Sequence, residues 1–137
     1  MTMKTKPAVT LLFVVAALYD GLLGLAFLLA SDQLFERCGV APPNHPGYVQ
    51  FPAALLLVFA LMFAAVAASP ARNRNLIPYG VLLKLSYCGV VAHHWLAGRL
   101  PWMWKPFCIA DLAFAVLFVL AWAAIRRERT AEEPPAG

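Results

Sequence analysis

A chain of 137 residues that is 62% hydrophobic and 13% charged, with a mean hydropathy of +0.71, lacks the polar surface that water demands of a soluble domain. Its net charge of +4 is not gathered into a basic stripe, and no nucleic-acid-binding motif accompanies it, which excludes that class of partner. About 20 apolar residues in a helix cross the ~30 Å hydrocarbon layer of a bilayer. Four such segments use most of the chain, so the sequence predicts an all-α integral membrane four-helix bundle, one domain over residues 1–129.

The first segment, Ala8 to Ala30, is too long for the apolar region of a secretory signal and is interrupted by Asp20, so a retained helix is expected. The stretch from Ser31 to Tyr48 reads as the longest loop. Asp32 to Glu36 could form a short amphipathic turn there, and the proline- and glycine-rich run Ala41 to Gly47 opposes helix. Val49 to Ala68 carries no charge and reads as scaffold. After a polar link over 69–75, the third segment runs from Leu76 to Ala97, with Pro78 in its first turn, where a missing N–H costs little. In the next link Trp102 and Trp104 stand beside Arg99 and Lys105, a pattern of interfacial belts. The fourth segment, Phe107 to Ile125, ends at Arg126, Arg127 and Arg129, and residues 130–137 read as a disordered cytoplasmic tail. No internal repeat is visible, although the segments pair into two hairpins of similar length.

Basic residues set the expected orientation. Lys4, Lys6, Arg72, Arg74, Arg126, Arg127 and Arg129 fall on one side, against Arg37, Arg99 and Lys105 on the other. The positive-inside rule then places both termini in the cytoplasm of a multi-pass protein, with a bacterial inner membrane as the expected location.

Against this apolar background the stretch from Lys84 to Trp95 stands out, because it puts a lysine, a tyrosine, a thiol and two imidazoles inside the third segment. Ionisable groups at membrane depth are costly and face a bundle interior or a partner. Counted from the cytoplasmic boundary, Lys84 lies at ~12 Å, Asp20 at ~18 Å, Tyr87 and Cys88 at ~16–18 Å, Asp111 at ~22 Å, and His93 and His94 at ~25–27 Å. A lysine stem reaches about 6 Å, so a Lys84–Asp20 pair is expected if the first and third helices adjoin. Asp111 and His94, at similar depth, suggest a hydrogen bond. At 100° per residue His94 lies on the Tyr87 flank of the lysine face, whereas His93 points almost opposite. Ala16, Ala17 and Gly24 beside Asp20 permit close helix approach. Such pairs can equally be structural glue that locks a bundle together.

Other features carry less. Adjacent histidines diverge and no ligand stands at i+3 or i+4, so no metal site is expected. Cys38 and Cys108 share one side of the membrane, which leaves a disulfide open as well as free thiols, and Cys88 reads as a small apolar filler. The loop residues Arg37, Asn44, His45 and Tyr48 read as a rigid interfacial turn, with a lid as the alternative.

The four short helices, the termini on one side and polar residues in helices one, three and four resemble the DoxX-like group of small bacterial membrane proteins. That group includes subunits linked to quinone-dependent sulfur oxidation. Tyr19 to Gly21 and Arg74 to Gly80 have the look of family signatures, but the resemblance is one of architecture and assigns no residue a role. The expectation is a small binding or accessory protein, surrounded by membrane lipids, in which Asp20, Lys84, Tyr87, His94 and Asp111 line a polar site open toward the outer face for a small or lipid-like ligand. No catalytic residue and no cofactor is assigned. Two alternatives stand beside it. One is a quinone-linked redox subunit, with Tyr87 or His94 as hydrogen-bond or proton partner and Phe107, Phe114 and Phe118 as walls; the other is proton or ion movement along the Asp–Lys–His ladder.

Overall fold

The computed structural model describes residues 5–132, and its regular structure is entirely helical. Four helices are long and apolar enough to cross a membrane: α1 (Thr5–Cys38), α2 (Gly47–Ala68), α3 (Ile77–Leu96) and α4 (Lys105–Glu132). Short 3-10 turns, Arg74–Leu76 and Trp102–Trp104, lead into α3 and α4. The polarity is that of a protein in lipid. Leu11, Leu18, Leu22, Leu29, Leu61, Val90 and Leu120 are exposed on the outside, whereas Asp20, Lys84 and Asp111 are buried.

Two boundaries differ from the sequence reading. No loop begins at Ser31: α1 bends at Ala30 (φ −137°, ψ 30°) and continues to Cys38. Ser31 and Phe35, four residues apart, keep a buried stripe going past the bend. Phe35 meets Phe27 and Trp104, and that contact outweighs the loss of one regular turn. Helix α4 likewise runs on through Arg126 to Glu132, so the tail expected over 130–137 is helical at its start, and its last five residues lie outside the described region.

Helices α1 and α3 stop in the same way. Gly39 (φ 64°) and Gly98 (φ 68°) adopt the left-handed conformation that a residue with a Cβ resists. Val40 donates to the Phe35 carbonyl and Gly39 to Glu36, while Arg99 donates to His94 and Gly98 to Trp95. Both are Schellman caps that satisfy the last carbonyls of a helix. At the α2 end, His45 accepts the Gly47 N–H through Nδ1 (3.0 Å). The 39–46 connection is thus an ordered turn.

The closest helix packing is α1 on α2 and α3 on α4, two hairpins with looser contact between them. Gly24 permits the first: a Cβ there would lie 2.8 Å from the Ala53 carbonyl oxygen. Backbone cannot yield as a flexible side chain can. Gly24→Ala is therefore expected to destabilise the bundle by about 1–3 kcal/mol. Gly89→Ala, where a Cβ meets nothing within 4 Å, should be neutral or mildly stabilising through helix propensity. Unfolding midpoints of the two variants in detergent test the assignment, and equal midpoints would contradict it.

The centre of the bundle, toward the end that carries Thr5, the 69–73 link and Glu132, is filled by aromatic rings. Phe13, Phe63 and Phe118 are fully buried, with ring centroids 4.7–5.9 Å apart, and Val9, Val66, Ile77 and Ile125 complete the cluster. Toward the opposite end the core is smaller, made by Phe27, Phe35, Ala53 and Met103. The polar residues lie between the two clusters.

Candidate functional site

Lys84 is buried at the centre of the inward stripe of α3, with Gly80, Cys88 and Val91 on the same face. Its Nζ donates to Oδ1 of Asp20 at 2.7 Å and to Oδ1 of Asp111 at 2.9 Å, so one ammonium joins α1, α3 and α4. Charge-assisted bonds of this length are the strong kind. The rings of Tyr19, Phe114 and Phe63 surround the ammonium, with centroids 5.2, 5.3 and 5.9 Å away. Their π faces compensate part of the hydration the cation has lost. Phe114 is thus a packing neighbour of the lysine and Phe118 belongs to the aromatic core.

The charges do not cancel. With both carboxyls ionised the cluster carries one net negative charge. Asp20 is fully buried and its Oδ2 has no hydrogen-bond partner, and neither does the buried Tyr19 hydroxyl. An unpartnered carboxylate oxygen at this depth is costly unless a donor or a cation reaches it.

A cavity of about 380 Å³ adjoins the cluster. Asp20 and Asp111 stand at its inner end, Leu55, Leu56 and Phe59 of α2 form one wall, and Leu83, Ser86 and Tyr87 of α3 form the other. Tyr48 and Trp104 mark the far end. Helices α2 and α3 meet near their shared link, where Phe63 abuts Gly80, and separate beyond it. Pro52, Leu55 and Ser86 line the cavity yet are exposed, so it opens sideways through the apolar surface between α2 and α3.

The structure therefore brings together four of the five expected residues. Asp20, Lys84 and Asp111 form the ionic cluster; Tyr87 lines the cavity and donates its hydroxyl to the Trp104 carbonyl (3.0 Å). His94 is not part of it. It lies exposed in the last turn of α3, where its ring meets that of His93, 5.1 Å away. The expected Asp111–His94 bond is replaced by Asp111–Lys84. The cause is its place at the capped helix end, past the packed region: Val91 is buried and the residues after it in α3 are exposed. The depth ladder also contracts to one level, because the helices begin at unequal heights and the lysine stem spans the difference.

Other assignments shift too. Trp102 is exposed and donates to the Cys38 carbonyl (3.2 Å), but Trp104 turns inward and stacks on Phe27. The three cysteines are free thiols, and Cys88 points at the Cys108 carbonyl (3.3 Å). Among the described residues no group of three or more His, Cys, Asp or Glu has the spacing to hold a metal ion. Tyr19 and Phe63 were missed as neighbours of the lysine. Tyr19 precedes Asp20 and could have been suspected from that; Phe63 sits on a helix without charge and gave no signal.

No family model matches the chain, and no curated protein or solved structure matches it.

Proposed function

We propose that this protein binds a lipid-like amphipath inside the membrane, its apolar body lying in the crevice between α2 and α3 and its polar head reaching Asp20 and Asp111. The observation that carries this reading is the continuity of the cavity. One largely apolar space runs from a lipid-facing opening to Asp20 and Asp111, and Asp20 holds a buried carboxylate oxygen with no hydrogen-bond partner. A head group with a hydrogen-bond donor or a positive charge complements that oxygen, and an apolar tail leaves the crevice without crossing water. The distribution of basic residues supports a cytoplasmic location for both termini, so the crevice would open toward the outer leaflet of a bacterial inner membrane. The helix count and the helices that carry the polar residues support kinship with the DoxX-like group.

Transport straight through the bundle is less well supported. The Phe13–Phe63–Phe118 stack fills the centre between the ionic cluster and the terminal end, and His94 does not extend the ladder on the other side. A quinone fits this class in its reduced form, whose hydroxyls supply the donors, with Tyr87, Trp104 and Phe107 beside it, and redox chemistry is not required for it to bind.

The test is ligand retention. Protein extracted into nanodiscs should carry an amphipath enriched over bulk lipid, identified by mass spectrometry of the solvent extract. Ser86→Trp and Leu55→Trp, both at the exposed mouth, should reduce that enrichment at least tenfold without lowering the unfolding midpoint. An extract identical to that of empty nanodiscs would overturn the reading.

A further inference from the structure

The charge of the cavity wall narrows the ligand class further, on the premise that the crevice is a binding site. Two of the cavity-lining residues are charged, Asp20 and Asp111, and both are acidic. Lys84 does not line the cavity; it lies behind the carboxylates, inside the ring cage of Tyr19, Phe63 and Phe114. One lysine neutralises one carboxylate, so the second charge is left facing the space. The rest of the wall is rich in rings, with Phe27, Tyr48, Phe59, Tyr87, Trp104 and Phe107. An anionic floor under aromatic walls attracts organic cations twice over, through the carboxylate and through the ring faces. It disfavours phosphates and fatty-acid anions by the same arithmetic.

We propose that the crevice binds lipophilic cations, and that the cation and a proton compete for the Asp20–Asp111 pair. In the unliganded protein the excess negative charge is neutralised by one proton held on the carboxyl pair. When a cation enters, that proton leaves for solvent, and the buried charge sum stays at zero in both states. The other titratable groups facing the pair do not perturb this count. From α1 comes Tyr19, from α3 Lys84, Tyr87 and Cys88, and from α4 Cys108. Helix α2 contributes only Tyr48, at the far end of the cavity. Among them Lys84 is the group bonded directly to both carboxylates, at 2.7 and 2.9 Å, and its single positive charge is the one already counted.

Tetraphenylphosphonium, a hydrophobic cation with a fixed charge and no titratable proton, is a suitable probe. Its binding to purified protein in detergent, followed by equilibrium dialysis, should weaken by about tenfold for each unit of pH below the range in which the pair loses its proton. Addition of the probe in weakly buffered solution should release about one proton per cation bound. Asp20→Asn should abolish both effects; Asp20→Glu, which keeps the charge that holds Lys84, serves beside it as the control for folding and should retain proton release at reduced affinity. Ser86→Trp should block binding with the ionic cluster untouched. Binding without proton release in the wild type, or at equal affinity in folded Asp20→Asn, would overturn the proposal. A neutral amphipath such as monoolein separates the two levels. If it binds in a Ser86→Trp-sensitive way while the phosphonium does not, the crevice reading stands and the cation inference fails. If neither binds, both fall.

Discussion

Replacing Lys84 with methionine is expected to destabilise the folded bundle by about 3–5 kcal/mol, the usual cost of stripping one partner from a buried ion pair. The expectation rests on geometry as well as burial. Lys84 is the only cation in contact with Asp20 and Asp111 among the described residues, and it holds both through hydrogen bonds of 2.7 and 2.9 Å. Methionine keeps the stem's volume and removes the charge, so two carboxyl groups from α1 and α4 are left facing each other with no donor between them. Asp20→Leu should cost less, because the Lys84–Asp111 pair survives. Removing Lys84 and Asp20 together still leaves Asp111 uncompensated. Only the triple variant Asp20→Leu, Lys84→Met, Asp111→Leu replaces the whole cluster by apolar groups, and it should recover most of the stability lost in Lys84→Met. Unfolding midpoints in a denaturing-detergent titration would settle the order. A Lys84→Met protein as stable as wild type, or a triple variant weaker than the single, would show that the cluster is not the tie between the hairpins.

The same experiment separates the two meanings a buried charge can have. If the cluster is only a lock, the triple variant should be stable and indistinguishable from wild type in every binding assay. If it is a site, the triple variant should be stable and empty. Stability is thus the shared expectation, and ligand retention decides. The unpartnered Asp20 Oδ2 favours the second outcome, since a lock optimised for cohesion would satisfy both oxygens.

Which parts of this were legible in the sequence follows from which physics is local. Four apolar runs bounded by basic and proline-rich links are composition, and they marked out all four helices. The Asp20–Lys84 pairing was legible because few alternatives exist for an ammonium in hydrocarbon. That Lys84 takes Asp111 as well was not, since depth counted along each helix ignores the different heights at which helices begin. His94 falls outside the cluster for a related reason: angular phase places a side chain on a face but does not say where packing ends. The cap at Gly98 carries that information, and it lies beyond His94 by only one turn. The extension of α1 through Ser31 to Cys38 follows the local spacing of Phe27, Ser31 and Phe35, but what holds Phe35 in place is Trp104, 69 positions away and outside any local pattern. The crevice between α2 and α3 is a property of how two hairpins lean together, which composition does not encode.

The aromatic stack beneath the cluster makes the second large prediction. Phe63→Ala should destabilise the protein by about 3 kcal/mol, the lower end of the range for buried phenylalanine. In lipid the transfer of a ring out of the core gains back little from the solvent, so the loss is chiefly of packing against Phe13, Phe59 and Phe118. Gly80 identifies the mechanism. A Cβ there would lie 2.6 Å from Phe63 Cε1, so Gly80→Ala in the wild-type background forces the ring out of its place in the stack and should cost about 1–3 kcal/mol. In the Phe63→Ala background the obstructing ring is gone, the added methyl enters vacated space, and Gly80→Ala should cost nothing or restore part of the loss. The coupling between the two positions should therefore be favourable by at least about 1 kcal/mol, well above the few tenths expected of independent sites. Strictly additive effects would mean that α2 and α3 already adjust around Gly80, and that the rigid aromatic floor on which the ionic cluster rests is softer than its geometry implies.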